Sequence, residues 1–133
     1  MGLTEDERNA VVFLRLNNAK QTLDDAKIIA ENKLWKAAAN RLYYACFYAA
    51  NALMVRFGLE AKTHAGVIRL LGLHFVSKNL INKESGDAYQ KLFALRQKSD
   101  YDDWVVVEES DIMPLIEPAE KFITEIENLV NVN

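Results

Sequence analysis

The chain is short of the residue types that carry most recognisable chemistry. Its 133 residues include one cysteine, Cys46, and two histidines, His64 and His74. A lone cysteine within an apolar run closes no intrachain disulfide and behaves as a small hydrophobe, which points to a reducing, cytoplasmic setting. The two histidines do not have zinc-ligand spacing. Five glycines are scattered singly, so there is no glycine-rich phosphate loop and no calcium loop built around a glycine. The acids Asp100, Asp102, Asp103, Glu108, Glu109 and Asp111 are dense but lack that pattern. Neither a metal nor a cofactor is expected. No serine sits in a nucleophile elbow. Both prolines, Pro114 and Pro118, fall near the end, so most of the chain is free of helix breakers. The N-terminal MGLTEDERNA has no apolar core for a signal peptide. The long uncharged run, Leu42 to Val55, is below the ~18 residues that a membrane span needs.

The formal net charge is −3, which excludes nonspecific polyanion binding by the whole surface. The charge is uneven, however. Residues 54–98 carry eight positive and three negative side chains, and residues 99–133 carry one and ten. A basic middle and an acidic end permit a local anion site or pairing between two copies.

What the chain does have is a strong central helix, Ala37 to Phe57. Tyr43, Phe47, Ala50, Met54 and Phe57 make one apolar stripe, and Leu42, Ala45, Ala49 and Leu53 make another. A helix apolar nearly all round belongs inside a bundle. One line on it is polar: Arg41, Tyr44, Tyr48 and Asn51 share a face. Either they form a satisfied internal network, or they line a polar pocket or subunit interface, with Arg41 needing a carboxylate or an anion.

The remaining segments read as helices around this rod. Thr4 and Glu7 fit a capping box opening a helix to about Glu31, with Val12, Leu16, Ala19, Leu23, Ala26 and Ala30 inward. Trp35 is placed at the corner that follows. Gly58 ends the central helix. Thr63 caps a third helix, His64 to about Asn79, with Ile68, Leu71, Phe75 and Val76 inward and Gly66 and Gly72 allowing close helix contact. Asn82 or Lys83 opens a fourth, ending near Lys98 to Tyr101, with Ala88, Leu92 and Leu95 inward and Tyr89, Phe93 and Arg96 beside them. The stretch YDDWVVVEES reads as an extended loop with Trp104 folded back onto the bundle. A last helix begins around Ser110 or Asp111, with Pro114 in its first turn and Pro118 predicting a bend or a late start. The expected fold is all-α: one domain over residues 1–133, an up-and-down antiparallel bundle of about five helices.

Arg41-Leu42-Tyr43-Tyr44-Ala45, Ala52-Leu53, Lys62-Thr63-His64-Ala65-Gly66-Val67, and Arg96 through Asp100-Tyr101 occur in an order and spacing that resembles the HEPN (higher eukaryotes and prokaryotes nucleotide-binding) superfamily, in its small stand-alone prokaryotic branch. The resemblance spans roughly residues 8 to 130. It implies a helical bundle that forms a homodimer with a polar cleft between the copies. It also implies a toxin–antitoxin role beside a small nucleotidyltransferase antitoxin, and metal-independent endoribonuclease or nucleotide-binding activity on an RNA or nucleotide. The motif of that superfamily is an arginine followed, four to six residues on, by a histidine. Arg96 matches the arginine, but Asp100 and Tyr101 stand where the histidine belongs. An aspartate with a pKa of about 4 is a poor base for a ribose hydroxyl.

Arg96, Asp100 and Tyr101 are therefore the catalytic candidates, and Arg41, Tyr44, Lys62 and His64 the ligand-binding ones. A literal Arg-x4-His at Arg69 to His74 lies on the third helix, where such positions point about 140° apart. His64, at a helix start where backbone donors favour anions, is the better histidine; its plainer role is capping or packing. The alternative function is a noncatalytic assembly module without RNase activity. No membrane association is expected.

Overall fold

The computed structural model describes residues 2–131. Five α-helices run α1 Glu5–Glu31, α2 Trp35–Arg56, α3 His64–Leu71, α4 Lys83–Tyr101 and α5 Glu109–Asn131, and a five-residue π-helical turn, Gly72–Val76, continues α3. No strand occurs among the described residues, and the chain is an all-α bundle. Helix α2 touches α1, α3, α4 and α5, so it is the central rod.

Pairs between the helices fix their directions. Along α1, Lys20 meets Glu127 and Lys27 meets Glu120, so α1 and α5 are antiparallel. Arg56, at the end of α2, lies 3.9 Å from Glu5 at the start of α1. The Asn82 backbone N–H, ahead of α4, donates to Glu125 late in α5 at 3.2 Å. Helices α1 and α4 thus run opposite to α2 and α5. Exposed ion pairs of this kind add only about 0–1 kcal/mol each. The core does the stabilising: Tyr43, Tyr89, Phe122, Leu42, Leu53 and Leu71 are fully buried, at about 1.5–3 kcal/mol for each large apolar side chain removed from water.

Local signals act as expected at several ends. Thr4 and Glu7 form the capping box. Gly58, at φ +67°, closes α2 with bonds from Gly58 N–H to Val55 O and Leu59 N–H to Met54 O, the pairing that satisfies a helix's last carbonyls. Thr63 caps α3 and Asn82 caps α4. Trp35 packs at the corner against Ala30, Ala38, Ala39 and Ile112.

Other expectations need correction. Trp104 does not fold back; it is 91% exposed, and Val107 enters the core instead. Asp102 Oδ1 accepts the Trp104 N–H at 2.9 Å, which tightens the turn. The gap it reaches is lined by Ala30, Ala38 and Ala39 and takes a valine. The third helix is not α-helical to Asn79. It widens at Gly72, where Ser77 N–H bonds to Gly72 O, and Asn79 adopts a positive φ. Gly72 has open space where a Cβ would sit, and Gly66 faces its own capping loop. The close helix contact is at Gly86, whose Cβ would lie 3.0 Å from Val76. Tyr89 is fully buried while Leu95 is only half-buried, and Phe57 at the end of its stripe is exposed. Helix α5 starts at Glu109 and continues through both prolines, so Pro118 causes no late start and Pro114 lies past the first turn.

Candidate functional site

The polar line of α2 lies on an edge that the other helices leave partly open: Arg41, Tyr44, Tyr48 and Asn51 are all half-buried. Arg41 finds no carboxylate among the described residues. Its guanidinium donates twice to Asn40 Oδ1, at 2.9 and 3.2 Å, and stands 5.3 Å from the Tyr44 ring centre.

From α4, Arg96 comes to the same place. Its guanidinium carbon is 5.2 Å from the Tyr43 ring and 5.1 Å from that of Tyr44, within the ~6 Å at which a ring face attracts a cation. Two guanidiniums thus approach one phenol. The nearby counter-charge is Asp100, one helical turn beyond Arg96, with its carboxylate 3.4 Å from Nε. That approach is poorly aligned, and the buried Nε has no hydrogen-bond partner. A buried donor left unmade costs about 1–3 kcal/mol, which the two ring faces and the nearby carboxylate offset in part.

From α3 comes His64. The Thr63 cap starts the helix and sets the histidine at its first position. The imidazole stacks on Phe47, centres 4.2 Å apart and planes within 2°, and lies over Tyr43 at 5.8 Å. Its Nδ1 shares a short hydrogen bond with the Tyr43 hydroxyl. Burial first, then the Arg96 charge, holds the imidazole below its ordinary pKa, so it is neutral at pH 7. Burial pushes the Tyr43 phenol up to about 12, so that group stays protonated. Which partner carries the shared proton depends on the tautomer.

Of the residues named from the sequence, Arg41, Tyr44, His64, Arg96 and Asp100 converge here. Tyr101 does not: it ends α4 and is 88% exposed, its direction rotated about 140° from Arg96 around the helix. Lys62 lies exposed two residues before His64. Arg69 is exposed on α3, and His74 falls in the π-helical turn. The residue that sequence reasoning overlooked is Tyr43. It counted as one more member of an apolar stripe, yet its ring is the plate against which both Arg96 and His64 rest. Its signal was a phenol, which needs a hydrogen-bond partner, at a fully buried position.

Next to Arg96, between the start of α2 and the end of α4, lies a recess of about 380 Å3 that Lys36, Asn40, Ser99 and Asp100 also line. Among the described residues no three His, Cys, Asp or Glu side chains stand together as a metal would need, and no helix is long and apolar enough to cross a membrane. Cys46 is buried and free, its thiol pushed up by burial.

Residues 13–129 match the sequence profile of the HEPN domain. The chain is 35% identical to the "UPF0332 protein" of Thermotoga maritima, over 94% of this chain and 95% of that one. It is 38% identical to a Methanocaldococcus jannaschii protein named "Putative toxin", over 97% and 90% of the two chains. It is 30% identical to a "UPF0332 protein" of Archaeoglobus fulgidus, over 90% and 95%.

Proposed function

The chain belongs to the HEPN domain family, and on that premise we propose that it is a toxin-type protein that binds RNA through Arg96 and His64 and cleaves it without a metal. One observation carries this reading: His64 from α3 lies against the same Tyr43 ring as Arg96 from α4. The histidine missing after Arg96 in sequence is replaced by one from another helix. The "Putative toxin" relative supports the toxin-type role. The lone buried cysteine fits action in the cytoplasm.

The chemistry needs His64 with its proton on Nδ1, donated to Tyr43 Oη. Nε2 is then free to take the proton of a ribose 2′-hydroxyl. The 2′-oxygen attacks the adjacent phosphorus, the bond from phosphorus to the 5′-oxygen breaks, and the leaving oxygen takes up a proton. The products are a 2′,3′-cyclic phosphate and a 5′-hydroxyl. Arg96, with Arg41 beside it, offsets the charge that grows on the phosphoryl oxygens. A placed base contributes about 10²–10⁴-fold and a placed charge donor about 10²–10³-fold. Tyr44, half-buried between the two guanidiniums, offers a ring on which a base can stack. The open polar edge of α2 suits a homodimer with the two sites facing one cleft.

Single-stranded RNA incubated with pure protein in a chelator tests this. Cyclic-phosphate ends are expected from the wild type, with loss of about 10²–10³-fold in Arg96→Ala. Cleavage that survives Arg96→Ala places the chemistry elsewhere.

A second reading, a noncatalytic assembly module, is favoured by a different observation. Tyr101, Trp104 and Val106 are 88%, 91% and 75% exposed amid the acids of the α4–α5 loop. They suit a protein partner such as a nucleotidyltransferase antitoxin. Stable co-purification with that partner, with no affinity for RNA at moderate salt, would favour it.

A further inference from the structure

We infer that Tyr89 is a positioning residue for His64: its hydroxyl takes the Tyr43 proton, which leaves the Tyr43 oxygen free to receive the proton on His64 Nδ1. This rests on the reading of His64 as the base in RNA cleavage and deepens it.

A phenol set against an imidazole ordinarily donates to it, because the imidazole nitrogen is far the more basic group. Tyr43 alone with His64 would therefore give its proton to Nδ1. The imidazole's own proton would then sit on Nε2, and that nitrogen could not accept from a ribose hydroxyl. The tautomer that cleavage needs calls for a second acceptor beside Tyr43. Arg96, over the Tyr43 ring at 5.2 Å, cannot serve, since a guanidinium only donates.

Tyr89 of α4 can. Its ring stacks on that of Tyr43, centres 5.8 Å apart and planes within 25°, and meets Phe122 of α5 at 5.2 Å. Both tyrosines are wholly inaccessible, so bulk water competes for neither hydroxyl. The Tyr89 hydroxyl is buried without a formed hydrogen bond, which is rare for a phenol in a core. The two hydroxyls nevertheless act on each other. Burial raises the pKa of both; beyond that, Tyr89 lowers Tyr43 and Tyr43 raises Tyr89. The Arg96 charge also acts on Tyr43, and a cation beside a phenol makes it the better proton donor. Between the two phenols, Tyr43 thus donates and Tyr89 accepts. The Tyr89 proton turns in its place to the sulfur of Cys46, a weak acceptor that is buried in the same core and acts on Tyr89. The order that results is His64 Nδ1–H to Tyr43 and Tyr43 O–H to Tyr89, with Nε2 left bare.

Nitrogen-15 NMR of the histidine rings above pH ~7, where the imidazole is neutral, tests this without depending on RNA. The His64 signals are those lost in His64→Gln, His74 being the other histidine. Wild type is expected to carry the proton on Nδ1. Tyr89→Phe keeps the ring and removes only the hydroxyl. It should move the proton to Nε2 and lower kcat for RNA cleavage about ten-fold, the size of one hydrogen bond, with KM unchanged. If wild type already holds its proton on Nε2, Tyr89 is no acceptor and the inference is overturned. If Tyr89→Phe keeps both the wild-type tautomer and kcat, Tyr89 only packs, while the cleavage reading stands. If Tyr89→Phe moves the proton but wild type cleaves no RNA, the positioning of His64 by Tyr89 holds and the cleavage reading falls.

Discussion

The two sides of α2 obey different rules. On one, Ala45, Ala49 and Leu53 are wholly inaccessible within the apolar core, and the helix is held by area removed from water. On the other, Tyr43, Tyr44 and Phe47 meet His64 and Arg96, and polar atoms remain buried without partners, among them Arg96 Nε and the Tyr89 hydroxyl. The first side is what a stable bundle needs. The second brings two cationic groups and a neutral imidazole close together, the arrangement that the proposed RNA site would use.

The contrast breaks most sharply at Leu53, a fully buried residue. Leu53→Ala should cost about 2–5 kcal/mol by denaturant unfolding, while the folded fraction cleaves RNA at the wild-type rate. Equal losses of stability and specific activity would mean that the two sides are not separable.

His64→Gln sharpens it from the other side. Cleavage should fall by about 10²-fold or more, with a melting temperature within a few degrees of wild type. A smaller effect is expected from Tyr43→Phe, which keeps the ring under Arg96 and removes the hydroxyl that orients the imidazole: about ten-fold in rate, and about 1 kcal/mol in stability.

The pH response separates the sides again. His64 titrates below its ordinary value, so the acid limb of kcat/KM should lie below pH ~6.5. The unfolded chain takes up that proton at higher pH than the folded one. Wild type should therefore lose stability as pH falls through ~6.5, a loss that ends below the folded-state value. His64→Phe should lack this component, and parallel stability curves for the two proteins would show that the imidazole is not held neutral.

Smallest of all, breaking the Lys27–Glu120 pair between α1 and α5 with Lys27→Met should change stability by about 0–1 kcal/mol and leave RNA cleavage untouched.

Much of this bundle is legible in the chain because helices announce themselves locally. Thr4 with Glu7, Gly58, Thr63 and Asn82 mark ends through bonds to backbone a few residues away, and the α1 stripe from Val12 to Ala30 buries as its period requires. Where packing between distant segments decides, the reading fails. Trp104 is the more apolar residue by bulk, but the gap beside Ala38 and Ala39 admits Val107. The π-helical turn at Gly72 has no local signature in the chain; within it Phe75 is buried.

The site divides in the same way. Arg96 and Asp100 sit one helical turn apart, so their pairing follows from sequence spacing alone, as does the shared face of Arg41 and Tyr44. That His64 joins them, and that Tyr43 is the ring between His64 and Arg96, follows from no spacing within one helix. Three helices have to cross at one point before an imidazole on α3 can feel the charge of a guanidinium on α4. Local propensity and periodicity are properties of neighbouring residues and are written into the chain; the meeting of His64, Tyr43 and Arg96 exists only once the core has set the helices against one another.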